Sequence, residues 1–338
     1  MVKLKDIARE TGLTVSTVSK ALNRSSEISE ATTKLVRQVA ERMGYCAKTS
    51  AKPSTKTIGV VLPEVRSHYY AELLQSLDSE ITHRGYTTLV MLTEGYAESA
   101  QPAIERICKY NLDGLLVSCN SGFSDKSGQY LLDSGIPTLL LGVVTSLNYP
   151  LDSIRIREGR GVSQALEYLL SLGHQKIGYL GEYSSDIRYQ KFCALMQEHG
   201  LTVDPAFIRC GAERFEQGGY LRAMELFEQE DLPTAILVGY DQMAYGVLRA
   251  CRERGIRVPE DLSIVGFDDI VMDEYFPVAL TSVSYPIEQM GAAAVQILMD
   301  AIENPKAHVV QNVALQTKLV VRSSACPPAI SEKNQEEL

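Results

Sequence analysis

The chain has 338 residues, of which 45% are hydrophobic and 22% charged, with a net charge of −9. That length suits two or three compact units, and that composition suits a globular protein with a real core. No run of about 18 apolar residues occurs, which argues against a helical membrane span. The start, Met1-Val2-Lys3-Leu4-Lys5-Asp6, lacks the apolar stretch of a secretion signal, so a cytoplasmic protein is expected.

Seven cysteines, at 46, 108, 119, 193, 210, 251 and 326, are scattered singly with no C-x-x-C pair. Such a set fits buried thiols in a reducing compartment and argues against disulfides or structural zinc. The charge is uneven. Residues 1–57 carry eleven Lys and Arg against five acids, a net +6. The remainder carries twenty-two against thirty-seven, a net −15. A basic head on an acidic body points to a polyanionic partner for the head, with a solvated helical surface as the plainer reading.

In chain order, Leu4, Ile7 and Ala8 stand at helical spacing and lead to the Thr11-Gly12-Leu13 break. Gly12 suits the left-handed end of that helix. Thr14 stands as N-cap of a second short helix, whose buried side is Val18, Ala21 and Leu22 and whose end is Asn23. Ser29 caps a third, with Leu35, Val36, Val39, Ala40 and Met43 as its inner face and Gly44 as its end. Two short helices around a Gly-bearing turn, braced by a third, describe a helix-turn-helix. Its second helix enters the major groove, N-terminal residues first. Val15, Ser16 and Thr17 lead that helix and Lys20 follows one turn on. Ser and Lys can bond base edges and Val can meet a thymine methyl. The competing roles are helix capping for Ser16 and Thr17, and a phosphate contact alone for Lys20.

These residues carry a resemblance. Leu4-Lys5-Asp6-Ile7-Ala8, Gly12, the run from Val15 to Asn23, Ile28-Ser29-Glu30 with Thr32, and Gly44-Tyr45 closely resemble the N-terminus of the lactose/galactose repressor (LacI/GalR) family of bacterial transcription regulators. The resemblance implies a DNA-binding set of Lys5, Thr14, Val15, Ser16, Thr17, Ser19, Lys20, Asn23, Ser29 and Tyr45. Lys20 stands where the family usually has Arg, giving a point charge in place of a bidentate fork. The linker departs further. The family's Pro-Asn is Ala47-Lys48 here, no Leu wedge is present, and Pro53 interrupts the segment. A weakened or absent hinge helix and reduced DNA bending are expected.

From Thr57 onward, strand and helix signals alternate. "TIGVVLPE" (57–64), "TTLVMLT" (87–93), "DGLLVS" (113–118) and "PTLLLG" (137–142) read as strands, with helical segments between. The cycle restarts after residue 153 with "SIRI", followed by "KIGYLGE" (176–182), "TAILVG" (234–239) and "LSIVGFDD" (262–269). Continuous apolar strands in β-α-β alternation predict parallel sheets covered on both faces, and two such cycles predict paired lobes with a ligand cleft between them. The fold class is thus an N-terminal all-α helix-turn-helix domain followed by a two-lobed α/β domain. The resemblance extends over residues 2–325, through "PTAILVGYDQMAYGVL" (233–248), "RVPEDLSIVGFDD" (257–269) and "LTSV" (280–283). It implies a periplasmic-binding-protein-like effector domain and a dimer. The expected domains are 1–48 (DNA-binding), 49–57 (linker) and 58–325 (effector and dimerisation), followed by a polar tail, 326–338. Lobe one is expected at 58–152 and 284–315, and lobe two at 153–283 and 316–325.

By the same resemblance the effector site draws on Tyr69, Tyr70, Arg157, Arg188, Tyr240, Asp268 and Tyr285. The tyrosines can stack on a sugar face, or serve the core. Arg188 can grip hydroxyls or carboxylates, or sit in an ion pair. Asp268 can accept from hydroxyls, and Asp269 reads as a cap or turn residue. Asp241 begins a helix, where N-capping is the competing role. Arg157-Glu158, Tyr240 and Tyr285 replace the family's usual Asp-Asn, Asn and Gln, and Phe215 lies near where some members stack a Trp. Arg66, Arg157 and Arg188 together suggest a phosphorylated or acidic sugar.

No G-x-S-x-G, P-loop or H-E-x-x-H occurs, the five histidines lack metal-ligand spacing, and "GRGVSQ" (159–164) is a helix start lacking a dinucleotide fingerprint's third Gly. The reading is a cytoplasmic dimeric regulator, a repressor and not an enzyme, with no cofactor or metal. Its partners are near-palindromic operator DNA and a sugar or sugar phosphate. The alternatives are control by a protein corepressor, or a sugar-binding receptor without DNA function.

Overall fold

The computed structural model of the chain describes residues 3–22, 28–43, 54–93, 100–119, 123–142, 149–182 and 187–329. It divides into two units, Met1–Ser54 and Thr55–Leu338.

The first unit holds α1 (Leu4–Thr11), α2 (Val15–Leu22) and α3 (Glu30–Arg42). Gly12 ends α1 at φ 69°, a left-handed conformation that costs a residue with a Cβ. The Thr14 hydroxyl accepts from Thr17 N at 3.1 Å, and the Ser29 hydroxyl from Thr32 N at 3.2 Å, so each cap satisfies an otherwise orphaned amide. Ile7, Ala8, Val18, Ala21, Val36, Val39 and Ala40 form the small core. Leu35 departs from expectation: it is 47% exposed, outside the inner face of α3.

In the second unit the first lobe runs β1 (Thr57–Leu62), α4 (His68–His83), β2 (Thr87–Leu92), α5 (Gln101–Ile107), β3 (Gly114–Cys119), α6 (Asp125–Ser134), β4 (Thr138–Gly142) and β5 (Asp152–Ile156). The second runs α7 (Glu158–Ser171), β6 (Ile177–Gly181), α8 (Ile187–Glu198), β7 (Ile208–Cys210), α9 (Phe215–Leu226), β8 (Ala235–Val238), α10 (Asp241–Arg254), β9 (Ser263–Asp268) and β10 (Thr281–Ser284). The chain then returns through α11 (Ile287–Glu303) and β11 (Asn312–Leu315) to the first sheet, and ends in the second with β12 (Lys318–Val320).

The sheet orders are β11-β5-β4-β3-β1-β2 and β12-β10-β9-β8-β6-β7. All pairings are parallel except β10 with β12. Three expectations need correction. The stretch 153–156 belongs to the first sheet, where β5 pairs with β4 and β11, so the second lobe begins after Ile156. Its burial on nearly every residue suits a sheet interior, and the apolar alternation alone could not say which sheet. The antiparallel β12 was not foreseen. And β2 is an edge strand with Val90 and Leu92 each 38% exposed, so the first sheet is not covered throughout.

Strand order reverses at β1/β3 and again at β6/β8. Outside the carboxyl ends of strands at such a point the following helices diverge, one to each face, and leave a crevice. A single apolar cluster joins the lobes behind it, running from Ile58, Leu62, Tyr70 and Leu73 to Tyr179, Phe192, Val265 and Phe267. Burying each such side chain contributes roughly 1.5–3 kcal/mol, so the lobes share one core along this seam. Among the described residues no helix is long and apolar enough to cross a membrane.

Candidate functional site

The head presents one side of α2 outward. Val15 is 46% exposed, Ser16 and Lys20 are exposed, and Thr17 and Ser19 are half-buried. The Thr17 hydroxyl lies 2.8 Å from that of Thr14 and the Ser29 hydroxyl 2.9 Å from that of Thr32, so these groups serve the caps. Ser16 is left out of the cap and shares one exposed edge with Lys20, one turn on, while Val15 is exposed at the helix's first position. Lys5 is exposed on α1. Asn23, Tyr45 and most of the linker lie outside the described residues.

The second site forms where the carboxyl ends of β1, β6, β8 and β9 meet. Arg188, in the first turn of α8, donates to the carbonyl of Gly239 after β8, and its Nε lies 3.5 Å from a Glu158 carboxylate oxygen. Its guanidinium faces the rings of Phe267 at 5.5 Å and Tyr285 at 5.9 Å. Asp268 ends β9 at φ 107°, an uncommon value for a residue with a side chain, of the kind that clusters at functional sites. Burial pushes its carboxyl up to about 7 despite the pull of Arg188, and Glu158 adds to the push. Tyr69, half-buried on α4, meets Tyr285 edge-on at 5.9 Å and 84°. Tyr285 is 6% exposed, and its hydroxyl has no hydrogen-bond partner among the described residues. A buried hydroxyl left unpaired costs about 1–3 kcal/mol, which marks a place where a ligand atom can complete the site.

A further set of charges crosses between the lobes beside it. Arg214 pairs with Glu182 at 3.0 Å and reaches Glu64, after β1, at 3.7 Å. The Tyr240 hydroxyl donates to Glu182 at 2.6 Å and accepts the Phe215 amide at 2.7 Å. Burial, reinforced by Glu182, holds that phenol well above its ordinary range. Phe215 carries Arg66 at 4.9 Å and Arg214 at 4.4 Å. The backbone amide of His68 donates to the Gln242 side chain at 3.1 Å.

Not all expected residues converge. Tyr70 is 7% exposed and belongs to the apolar cluster, packing edge-on beneath Tyr69 at 4.9 Å. It is a core residue because it follows Tyr69 by one position on a helix and so points to a different face. Arg157 precedes α7 with its side chain exposed. Arg66 lies on Phe215 and Arg188 on Glu158, so the three arginines form no joint anion site. Asp241 is no simple cap. Its side chain is fully buried and accepts from Asp269 N at 2.6 Å and from the Ser282 hydroxyl at 2.7 Å. A Cβ at Gly266 would come within 2.0 Å of its Oδ1, so glycine there makes room for it. Burial and neighbouring Asp273 raise its pKa well above the carboxylate range, and it is hydrogen-bonded to Asp273. Asp273 in turn accepts from Tyr245 at 2.7 Å. Asp269 occupies a turn at φ 56° and pairs with Arg322 at 2.7 Å.

Sequence reasoning passed over Glu64, Glu182, Arg214 and Gln242. Their one signal is position, each falling just beyond a strand's carboxyl end or at the start of a helix. Among the described residues no group of three His, Cys, Asp or Glu is placed to hold a metal ion.

Residues 3–47 match the model of bacterial regulatory proteins of the lacI family, and residues 166–325 that of a periplasmic binding protein-like domain. The HTH-type transcriptional repressor PurR of Haemophilus influenzae (strain PittEE) is 30% identical over 335 residues, which cover 96% of this chain and 98% of the relative. Among solved structures, the complex of the transcriptional regulator CelR with cellobiose aligns at 25% identity over 96% of this chain and 100% of that one, with a TM-score of 0.68. The Lac repressor bound to ONPG in its repressed state aligns at 26% identity over 96% and 99%, with a TM-score of 0.69.

Proposed function

The chain belongs to the lacI family of bacterial regulatory proteins, and from that premise we propose a division of labour between its two units. The protein is a DNA-binding transcriptional regulator of the repressor type, not an enzyme, and it works in the cytoplasm as a dimer. The head reads a half-site with Val15, Ser16 and Lys20, Lys5 and Ser19 meet phosphates, and Thr14, Thr17 and Ser29 fix the capped helix starts that hold it on the DNA backbone. A two-fold dimer then calls for a near-palindromic operator. What supports this most is the outward side of α2, where Val15 and Ser16 are exposed at the start of a capped helix and Lys20 is exposed in its last turn.

The effector site is the cleft around Tyr69, Arg188, Asp268 and Tyr285. Because Glu64, Arg66 and His68 of one lobe touch Arg214, Phe215 and Gln242 of the other, a ligand seated there biases how the lobes meet. Its effect on DNA affinity equals its differential affinity for the two arrangements. The relatives' bound sugars, cellobiose among them, favour a hydroxylated ring as ligand. Gel retardation on fragments of the chain's own promoter region tests the reading. A sequence-selective complex whose affinity changes with a cleft ligand is expected. Binding with no sequence selectivity at low salt would end it.

A further inference from the structure

The charges around the cleft do not balance. Four carboxyl groups, Glu64, Glu158, Glu182 and Asp268, meet there, and two arginines, Arg188 and Arg214, answer them. Both arginines are already engaged, Arg188 by Glu158 and Gly239, and Arg214 by Glu182 and Glu64. Arg66 is exposed and lies on Phe215. Asp268 is left over. Among the described residues its carboxyl has no hydrogen-bond partner, although Arg188 and Glu158 both act on it electrostatically. The backbone holds it at an unfavourable φ, at the mouth of the sheet and in the neighbourhood of the unpartnered Tyr285 hydroxyl. An anion placed at Asp268 would meet that carboxyl and Glu158 with only Arg188, already paired, to answer them, since Arg66 lies on Phe215, and desolvating like charges together is costly.

Resting on the reading of the cleft as the effector site, we infer that the effector is a hydroxylated molecule bearing a protonated amine. The ammonium seats on Asp268 with Glu158 behind it, and a ligand hydroxyl bonds the Tyr285 phenol. The nearby aromatic faces are compatible with a cation, since Phe215 already carries two guanidinium groups. This class replaces the phosphorylated or acidic sugar expected from the sequence, because the three arginines that suggested it do not converge.

The amine should also couple to pH. Asp268 sits near neutrality without ligand, and an ammonium binds only its ionised form. The ionised fraction falls roughly tenfold from pH 8 to pH 6 for a group at about 7, and affinity for a permanently charged amine falls with it.

The test uses the full chain and matched probes: hexoses of gluco, galacto and manno configuration, each as neutral sugar, 2-amino sugar and 6-phosphate, with quaternised amino sugars for the pH series. Calorimetric titration should show an amino sugar binding at least about tenfold tighter than its neutral parent, with the phosphates weakest. Asp268→Asn should erase the preference and flatten the pH dependence while leaving the melting profile cooperative. A neutral sugar or phosphate binding as tightly as its amine, or none of the three amines binding at all, overturns the inference. Gel retardation on promoter fragments, run beside it, reports on the regulator reading separately. Selective DNA binding with no amine preference defeats only the ligand class.

Discussion

In the head, the side chains offered for recognition sit on one eight-residue helix, and two hydroxyl caps and a seven-residue core set its frame. In the cleft, groups that touch come from opposite ends of the body: His68 bonds Gln242 across 174 residues of chain, and Arg214 joins Glu182 and Glu64. The contrast has physical consequences. A helix surface is a set of nearly independent contacts, so its substitutions change affinity one at a time. The cleft is a set of shared partners, so substitutions there propagate through protonation and lobe packing. Predictions that separate the two behaviours test the contrast directly.

The largest effect belongs to the knot beneath the cleft. Asp241→Ala removes the acceptor for Asp269 N and Ser282 and the partner of Asp273, leaving buried polar groups unmet. Urea unfolding should register a loss of about 2–4 kcal/mol. Asp241→Asn keeps a hydrogen-bonding side chain of the same shape and should lose much less. If Ala and Asn behave alike, the knot is not what joins these loops.

Next comes the head. Lys20→Ala should weaken operator binding by about 1–2 kcal/mol, roughly five- to thirtyfold, and leave ligand binding in the cleft unchanged. The salt dependence separates its two roles. A phosphate contact lowers the slope of log affinity against log salt by about 1 for every sequence alike, whereas a base contact relaxes specificity at one position. A change in ligand affinity would blur the line between independent and shared contacts.

The third effect is in pH. Asp268 and Asp241 both have folded-state pKa values above the ordinary 3.8, Asp268 at about 7. Between the unfolded and folded values the native state holds more protons, so both groups lose stability as pH rises; for Asp268 the contribution is greatest below about pH 4 and drains away as pH rises through 7. The melting-temperature difference between Asp268→Asn and the parent should therefore grow in favour of the variant from pH 5 to pH 8. A flat difference would mean that solvent or a counter-charge reaches Asp268 more fully than its surroundings imply.

How much could be read beforehand follows the same division. The helices of the head were legible because their signals are local: Gly12 at a left-handed break, Thr14 and Ser29 before their runs, apolar residues at helical spacing. The strands were legible as apolar runs, yet which sheet "SIRI" joined was not, since pairing partners are set by the fold and not by the strand. Tyr69 and Tyr70 look equivalent in the sequence, and only the helix phase sends one to the cleft and the other to the core. Asp241 and Asp268 are both acids at element ends. That one is satisfied by Ser282 and Asp273 while the other faces the cleft depends on where β9, β10 and α10 meet. Glu182 and Arg214 offered only their position, because an ion pair between distant loops leaves no further mark in either segment.

The smallest expected effect concerns the crossing contacts between lobes. Glu64→Gln keeps the shape of the side chain, whose other oxygen accepts from Ser67 N at 3.0 Å, and removes the charge that faces Arg214 at 3.7 Å. A long, partly screened pair of this kind contributes at most about 1 kcal/mol. The substitution should therefore shift ligand affinity by less than about fivefold, with little change in melting temperature. The sign is informative. If the Glu64–Arg214 contact holds the lobes as a bound ligand needs them, Glu64→Gln weakens binding; if it holds them closed against a ligand's arrival, the variant binds faster and slightly tighter. Stopped-flow association rates for the parent and the variant distinguish the two. A variant indistinguishable in both rate and affinity would assign control of the lobes to the shared apolar seam, and not to the charges that cross the cleft.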